Sequence, residues 1–185
     1  MKVSREQAAR NRVHVVDVAG TQFRKHGFDG IGVADLMNAA GLTHGGFYNN
    51  FPSKDALAVE AVERVFAETR DRLREVAVGA ADPLAAIIRL YISPEHRDAL
   101  EAGCAVAALS QDATRGSPEL RSAFEAGIEG YLDLMVEFGG VSRGQAMAIY
   151  ATMLGALTLS RTVVDPVMSD EILSSAVESL LRRKE

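Results

Sequence analysis

Residues 31–55, IGVADLMNAAGLTHGGFYNNFPSKD, constrain the fold of this chain more than any other stretch. Their spacing predicts two short helices joined by a tight turn. The first covers 33–40, Gly41 and Leu42 turn, and the second covers 43–50. Gly41 suits a position of positive φ because it has no Cβ to clash there. Leu42 is the apolar residue that such a turn tucks beneath both helices. Thr43 is placed to cap the second helix, its hydroxyl accepting from a free N–H two or three residues on. Phe47 and Phe51 lie four apart, share one face and point inward. His44, Gly45, Tyr48 and Asn49 are left facing outward, a polar surface on a short helix. This pattern predicts a helix-turn-helix, whose second helix enters the major groove of duplex DNA.

The outward set carries the candidate DNA contacts: Thr43, His44, Gly45, Tyr48 and Asn49, with Lys54 just beyond. Free N–H groups at Thr43, His44 and Gly45 suit a phosphate oxygen. Gly45 and Gly46 each weaken a helix by about 1 kcal/mol relative to Ala. Close approach of backbone to DNA is the compensation this reading offers. Tyr48 and Asn49 can donate to phosphates or base edges. His44 is either a base-edge donor or an exposed bystander, and one of Asn49 and Asn50 can be serving only the local backbone.

The string GLTHGGFYNNFPSKDAL, residues 41–57, resembles the DNA-binding core of TetR-family transcriptional regulators. The likeness runs through helix, turn, recognition helix and the Phe-Pro-Ser-Lys-Asp entry to a long following helix. Met37 departs from it, standing where a small residue is more common, and His44 stands where Lys is common. The resemblance implies a homodimeric repressor that binds a palindromic double-stranded DNA operator and is released by a small-molecule inducer. It also implies that Tyr48 and Lys54 touch the DNA backbone.

Charge is divided along the chain. Residues 1–54 carry 7 Lys/Arg against 4 Asp/Glu, and the remainder 13 against 21, within a total of −5. A basic head and an acidic body fit a chain that meets an anion at one end. The single cysteine, Cys104, excludes an internal disulfide and fits a reducing cytoplasm. The N-terminus shows no apolar signal region. The longest uncharged run, between Arg143 and Arg161, is slightly short for a membrane span and contains Gln145, Thr152 and Thr158.

No period-2 alternation is found, so the expectation is all-α. A first helix starts at Ser4 with Gln7 in a capping box and buries Val13, Val16 and Phe23 before Gly27 ends it. Arg5, Arg10 and Arg12 in its first turns are either solvated or phosphate contacts. Ser53 caps a long helix reaching about Val78. Asp82-Pro83, Ser93-Pro94 and Ser117-Pro118 each set a cap before a proline whose missing N–H costs nothing. Ser142 with Gln145 repeats the capping box, and Ser169 followed by Asp170 and Glu171 predicts a last helix over 169–184. The domain expectation is a three-helix DNA-binding unit over 1–52 and a helical regulatory and dimerisation unit over 53–185.

The helix over 142–163 is apolar nearly all round and rich in small residues: Ala146, Ala148, Ala151, Gly155 and Ala156. Such a helix is buried on more than one side. It is either the centre of a monomeric bundle or, as preferred here, packed against a second copy, because pairing doubles the contacts with a palindromic site. TetR-family proteins look similar here, with two C-terminal helices forming a four-helix dimer interface.

For a ligand, Phe66, Tyr91, Phe124, Tyr131 and Met153 are candidate cavity walls, each equally readable as plain core. Cys104 is a buried inert cysteine or a thiol sensor at a helix start, where a thiol's pKa falls. Residues 103–127 resemble NemR-type regulators, in which a cysteine after glycine answers electrophiles. No metal-ligand spacing appears among His14, His26, His44 and His96, and no nucleophile elbow or Gly-rich phosphate loop is present. An enzyme and a cofactor are therefore not expected. A helix-turn-helix that scaffolds proteins is the remaining rival.

Overall fold

The computed structural model describes residues 4–182, and among these the regular structure is entirely helical. The helices are α1 (Arg5–His26), α2 (Val33–Ala39), α3 (Lys54–Val78), α4 (Pro83–Tyr91), α5 (Pro94–Asp98), α6 (Ala105–Ala113), α7 (Pro118–Gly139), α8 (Arg143–Thr162) and α9 (Pro166–Arg182). A 3₁₀ helix, His44–Asn49, stands between α2 and α3.

Capping chemistry set most of these boundaries. Ser53, Asp82, Ser93, Ser117 and Ser142 each accept a backbone N–H of the first turn. Ser142 and Gln145 complete a reciprocal box, whereas Ser4 forms only half of one: it accepts from Gln7 N at 3.1 Å, but the Gln7 amide turns to Asn11. Val13 is 51% exposed, contrary to expectation, because full burial on α1 begins at Val15 and continues through Val16, Ala19 and Phe23.

The last helix also starts earlier than expected. Asp165 accepts from Val167 N at 3.0 Å and Pro166 occupies the first turn, so the cap-before-proline signature recurs there. Ser169 is buried inside the helix and its hydroxyl donates to Ser160 O at 2.7 Å. The expected end at Lys184 lies outside the described residues.

The long α3 is the shared beam. Its first half packs on α1, and α7 lies along it. That crossing is close enough that a Cβ on Gly127 would fall 2.3 Å from the Phe66 ring, so only glycine fits. Helix α8 packs on α9 and α7, and the short α6 touches α1, α7 and α8. Apolar side chains from all these elements form one continuous core.

Candidate DNA-reading face and regulatory cavity

The turn expected at 41–42 is present. Gly41 has φ +67°, α2 ends at Ala39, and Leu42 is half-buried with its N–H donating to Met37 O. The following segment is a 3₁₀ helix rather than the expected α-helix, consistent with two adjacent glycines that give an α-helix little support. Thr43 does not cap it. In the tighter winding, Gly46 N–H, the donor a capping hydroxyl would take, is already bonded to Thr43 O at 3.1 Å.

Phe47 and Phe51 are fully buried, their rings 5.6 Å apart. His44, Gly45, Tyr48 and Asn49 are exposed, as their spacing predicted, and Thr43 is exposed beside them. Tyr48, 67% exposed, packs the edges of its ring against Phe47 and His44 while its hydroxyl remains free. Asn50 is the asparagine that serves the backbone, donating to Gly46 O at 2.8 Å, which leaves Asn49 uncommitted. Met37 is buried beneath the glycines, its methyl 3.8 Å from where a Gly46 Cβ would be. Lys54 opens α3 half-buried and without an ion pair, a cation at the helix end where the dipole disfavours it.

Most of the head's other cations are already engaged. Arg10 pairs with Glu6, and Arg12 pairs with Glu60 and lies over the Phe51 ring. Arg24 and Lys25 reach to Glu101 in the body. The basic excess counted in the sequence is therefore largely spent inside the fold.

A second feature is a cavity of about 590 Å³ between α1, α3, α4 and the loop before α6. Tyr91 and Cys104 line it, whereas Phe66, Tyr131 and Met153 are buried in the core and are not among its walls. Phe124 borders a separate groove beside α7. These aromatics belong to a continuous run of ring contacts: Phe28, Phe124, Phe66, Tyr131, Tyr150, Tyr91 and His96.

Cys104 sits at the N-cap of α6, 1% exposed, with Sγ 3.8 Å from the Tyr150 hydroxyl. Its N–H donates to His96 Nε2 at 3.0 Å, which leaves the imidazole proton on Nδ1, donating to Tyr91 O at 2.7 Å. Burial holds His96 below its ordinary pKa, and the charges of Arg161 and Arg72 act in the same direction. Arg161 is anchored by its Nε to Arg97 O and its terminal nitrogen to His96 O. Burial pushes the Tyr91 phenol well above its ordinary pKa, with Cys104 and Tyr150 adding to it. Sequence reasoning missed Arg24 and Arg161 as neighbours of Cys104, because they come from separated segments, and the structure brings His96 to the Cys104 N–H.

Residues 15–61 match the model of bacterial regulatory proteins of the tetR family. The repressor NemR of Escherichia coli is 27% identical over 161 residues, covering 78% of this chain and 81% of that repressor. The crystal structure of its reduced form superposes with a TM-score of 0.79 at 26% identity, over 92% of this chain and 95% of that one. These likenesses support a TetR-family transcriptional regulator. A TetR-family regulator from Chloroflexus aurantiacus shares the fold, with a TM-score of 0.81 at 22% identity over 95% of this chain and 96% of that one. The repressor DhaR of a Mycobacterium species is 24% identical over 92% of both chains. The relatives found are transcriptional regulators rather than enzymes.

Proposed function

We propose that this chain is a ligand-responsive repressor that binds a palindromic operator as a homodimer. Its reading unit would be residues 1–52 and its regulatory and dimerisation unit residues 53–185. The observation that carries the proposal is the outward group Thr43, His44, Gly45, Tyr48 and Asn49, exposed and uncommitted on the segment after the turn. Lys54 joins it as an unpaired cation suited to a phosphate. The repressor names of NemR and DhaR support the direction of the effect.

Pairing is supported by α8. Met147 and Leu159 are exposed on it, and Cβ atoms placed on Gly144 and Gly155 would meet nothing. Small residues that the protomer's own packing does not need fit close approach of a partner helix. The cavity beside Cys104 supports an inducer, which would shift DNA affinity only by binding the two states unequally.

The test is selection of bound sequences from a random duplex pool by purified protein at moderate salt. An enriched inverted repeat is the expected result. No enrichment from a folded dimer, with and without candidate ligands, would favour the protein-scaffold reading.

A second reading, electrophile sensing, draws on the position of Cys104 in the cavity wall. The Cys104 thiol would lose its proton to solvent and the thiolate would add to the β-carbon of an activated alkene, forming a C–S bond as the C=C π bond breaks and the adjacent carbon takes a proton from solvent. Cys104→Ser removes the nucleophile at nearly constant size. Release of the operator by N-ethylmaleimide should disappear in that variant, and unchanged release would end this reading.

A further inference from the structure

The cavity beside Cys104 has an excess of unsatisfied positive charge. Arg24, Arg72 and Arg89 line it, and none makes an ion pair with a protein carboxylate among the described residues. Of its two acids, Glu68 is held by Arg64 at 2.7 Å, and Glu95 is exposed.

Arg24 is the most enclosed of the three. Its Nε donates to Glu101 O at 2.7 Å, and the two terminal nitrogens have no acceptor among the described residues. Burial lowers its pKa, while Glu68, Cys104 and Tyr131 act to raise it. Glu68 acts on Arg24 through space without forming an ion pair with it, and a guanidinium fork with free terminal nitrogens fits a planar carboxylate.

The rest of the cavity complements an apolar body. Val65, Leu73 and Leu90 form walls, and the space falls in the ordinary range for small-molecule sites, roughly 300–1,000 Å³. Tyr91, 2% exposed, forms part of this wall, its buried hydroxyl close to Cys104 and Tyr150.

We propose that this cavity takes a small organic acid, with the free fork of Arg24 holding the carboxylate and the apolar body lying along Val65, Leu73 and Leu90. The proposal rests on the ligand-responsive reading and deepens it. Arg24 belongs to α1, which also packs behind the DNA-reading turn, so the acid would be held by the head itself. Arg72 and Arg89, both exposed, would draw the anion to the mouth.

The test uses calorimetric titration of the full chain with two matched pairs: octanoate and octanamide, and 4-phenylbutyrate and 4-phenylbutanamide. At least one acid should bind tenfold or more tightly than its amide. Arg24→Gln should reduce that acid's affinity at least tenfold and leave the amide's unchanged, with Arg24→Lys intermediate. Arg72→Gln, at an exposed position where folding is not at stake, should weaken the acid a few-fold, and Arg121→Gln, outside the cavity, should not. Failure of both acids to bind at millimolar concentration, equal binding of acid and amide, or an unaffected Arg24→Gln would each overturn the proposal. Equal binding of acid and amide with operator release leaves the ligand-responsive reading intact. Selective acid binding through Arg24 with no change in operator affinity leaves the anion site standing and removes that reading.

Discussion

At Gly45 the fold asks for nothing that only glycine supplies. Its φ is not positive, and a Cβ there would meet no atom within 4 Å. Alanine should therefore be accepted, with thermal stability unchanged or raised by up to about 1 kcal/mol. If the backbone approaches DNA at this point, the added methyl should weaken operator binding tenfold or more. A thermal melt beside a DNA titration of Gly45→Ala reads both quantities, and wild-type affinity would remove close approach as the reason for the glycine. Residue identities carried this much in the sequence, because exposure follows spacing on a short helix. They could not say that Asn50 would turn to Gly46 O or that Arg12 would leave the phosphate question for Glu60, since both depend on which partners the fold delivers.

Among the elements, those that begin with a cap and a proline were legible, because their chemistry is local and complete within four residues. Asp165-Pro166 carries the same signature, and the acids after Ser169 competed with it only in sequence. The 3₁₀ winding of 44–49 was less accessible, since i+3 and i+4 bonding differ little in composition. The cavity walls were least accessible, being assembled from four separate elements. Helix α8 provides the prediction at this scale. Gly155 faces open space in the protomer, so Gly155→Ile should not disturb the protomer core. It should push a partner helix away and shift sedimentation toward monomer at micromolar concentration, with helicity by circular dichroism retained. A variant that remains dimeric would place the interface elsewhere.

On the scale of the molecule, α6 joins the two features described above. Its N-cap is Cys104 in the cavity wall, and near its other end Asp112 accepts from Phe28 N at 3.3 Å and pairs with Arg115. A further clasp, Ser117 Oγ to Asp55 at 2.9 Å, fastens the start of α7 to the start of α3. Asp112→Ala leaves a part-buried N–H unpaired and should cost about 1–3 kcal/mol of stability. Its more telling effect should be on coupling: ligand affinity kept, with the ligand-induced fall in operator affinity reduced. Paired calorimetry and DNA titrations measure this, and undiminished coupling would mean that the signal runs through α3 or Arg24 instead.

The distribution of tyrosine has an optical consequence. The chain has no tryptophan and four tyrosines, so its intrinsic ultraviolet emission comes from tyrosine alone. Tyr91 lines the cavity, Tyr131 and Tyr150 are buried behind it in ring contact, and Tyr48 stands exposed beside the turn at Gly41. Replacing Tyr48 with phenylalanine would leave a protein whose every tyrosine lies at the cavity wall or in the ring run directly behind it. Its light would then report on the cavity without a dye and without interference from the DNA-reading face.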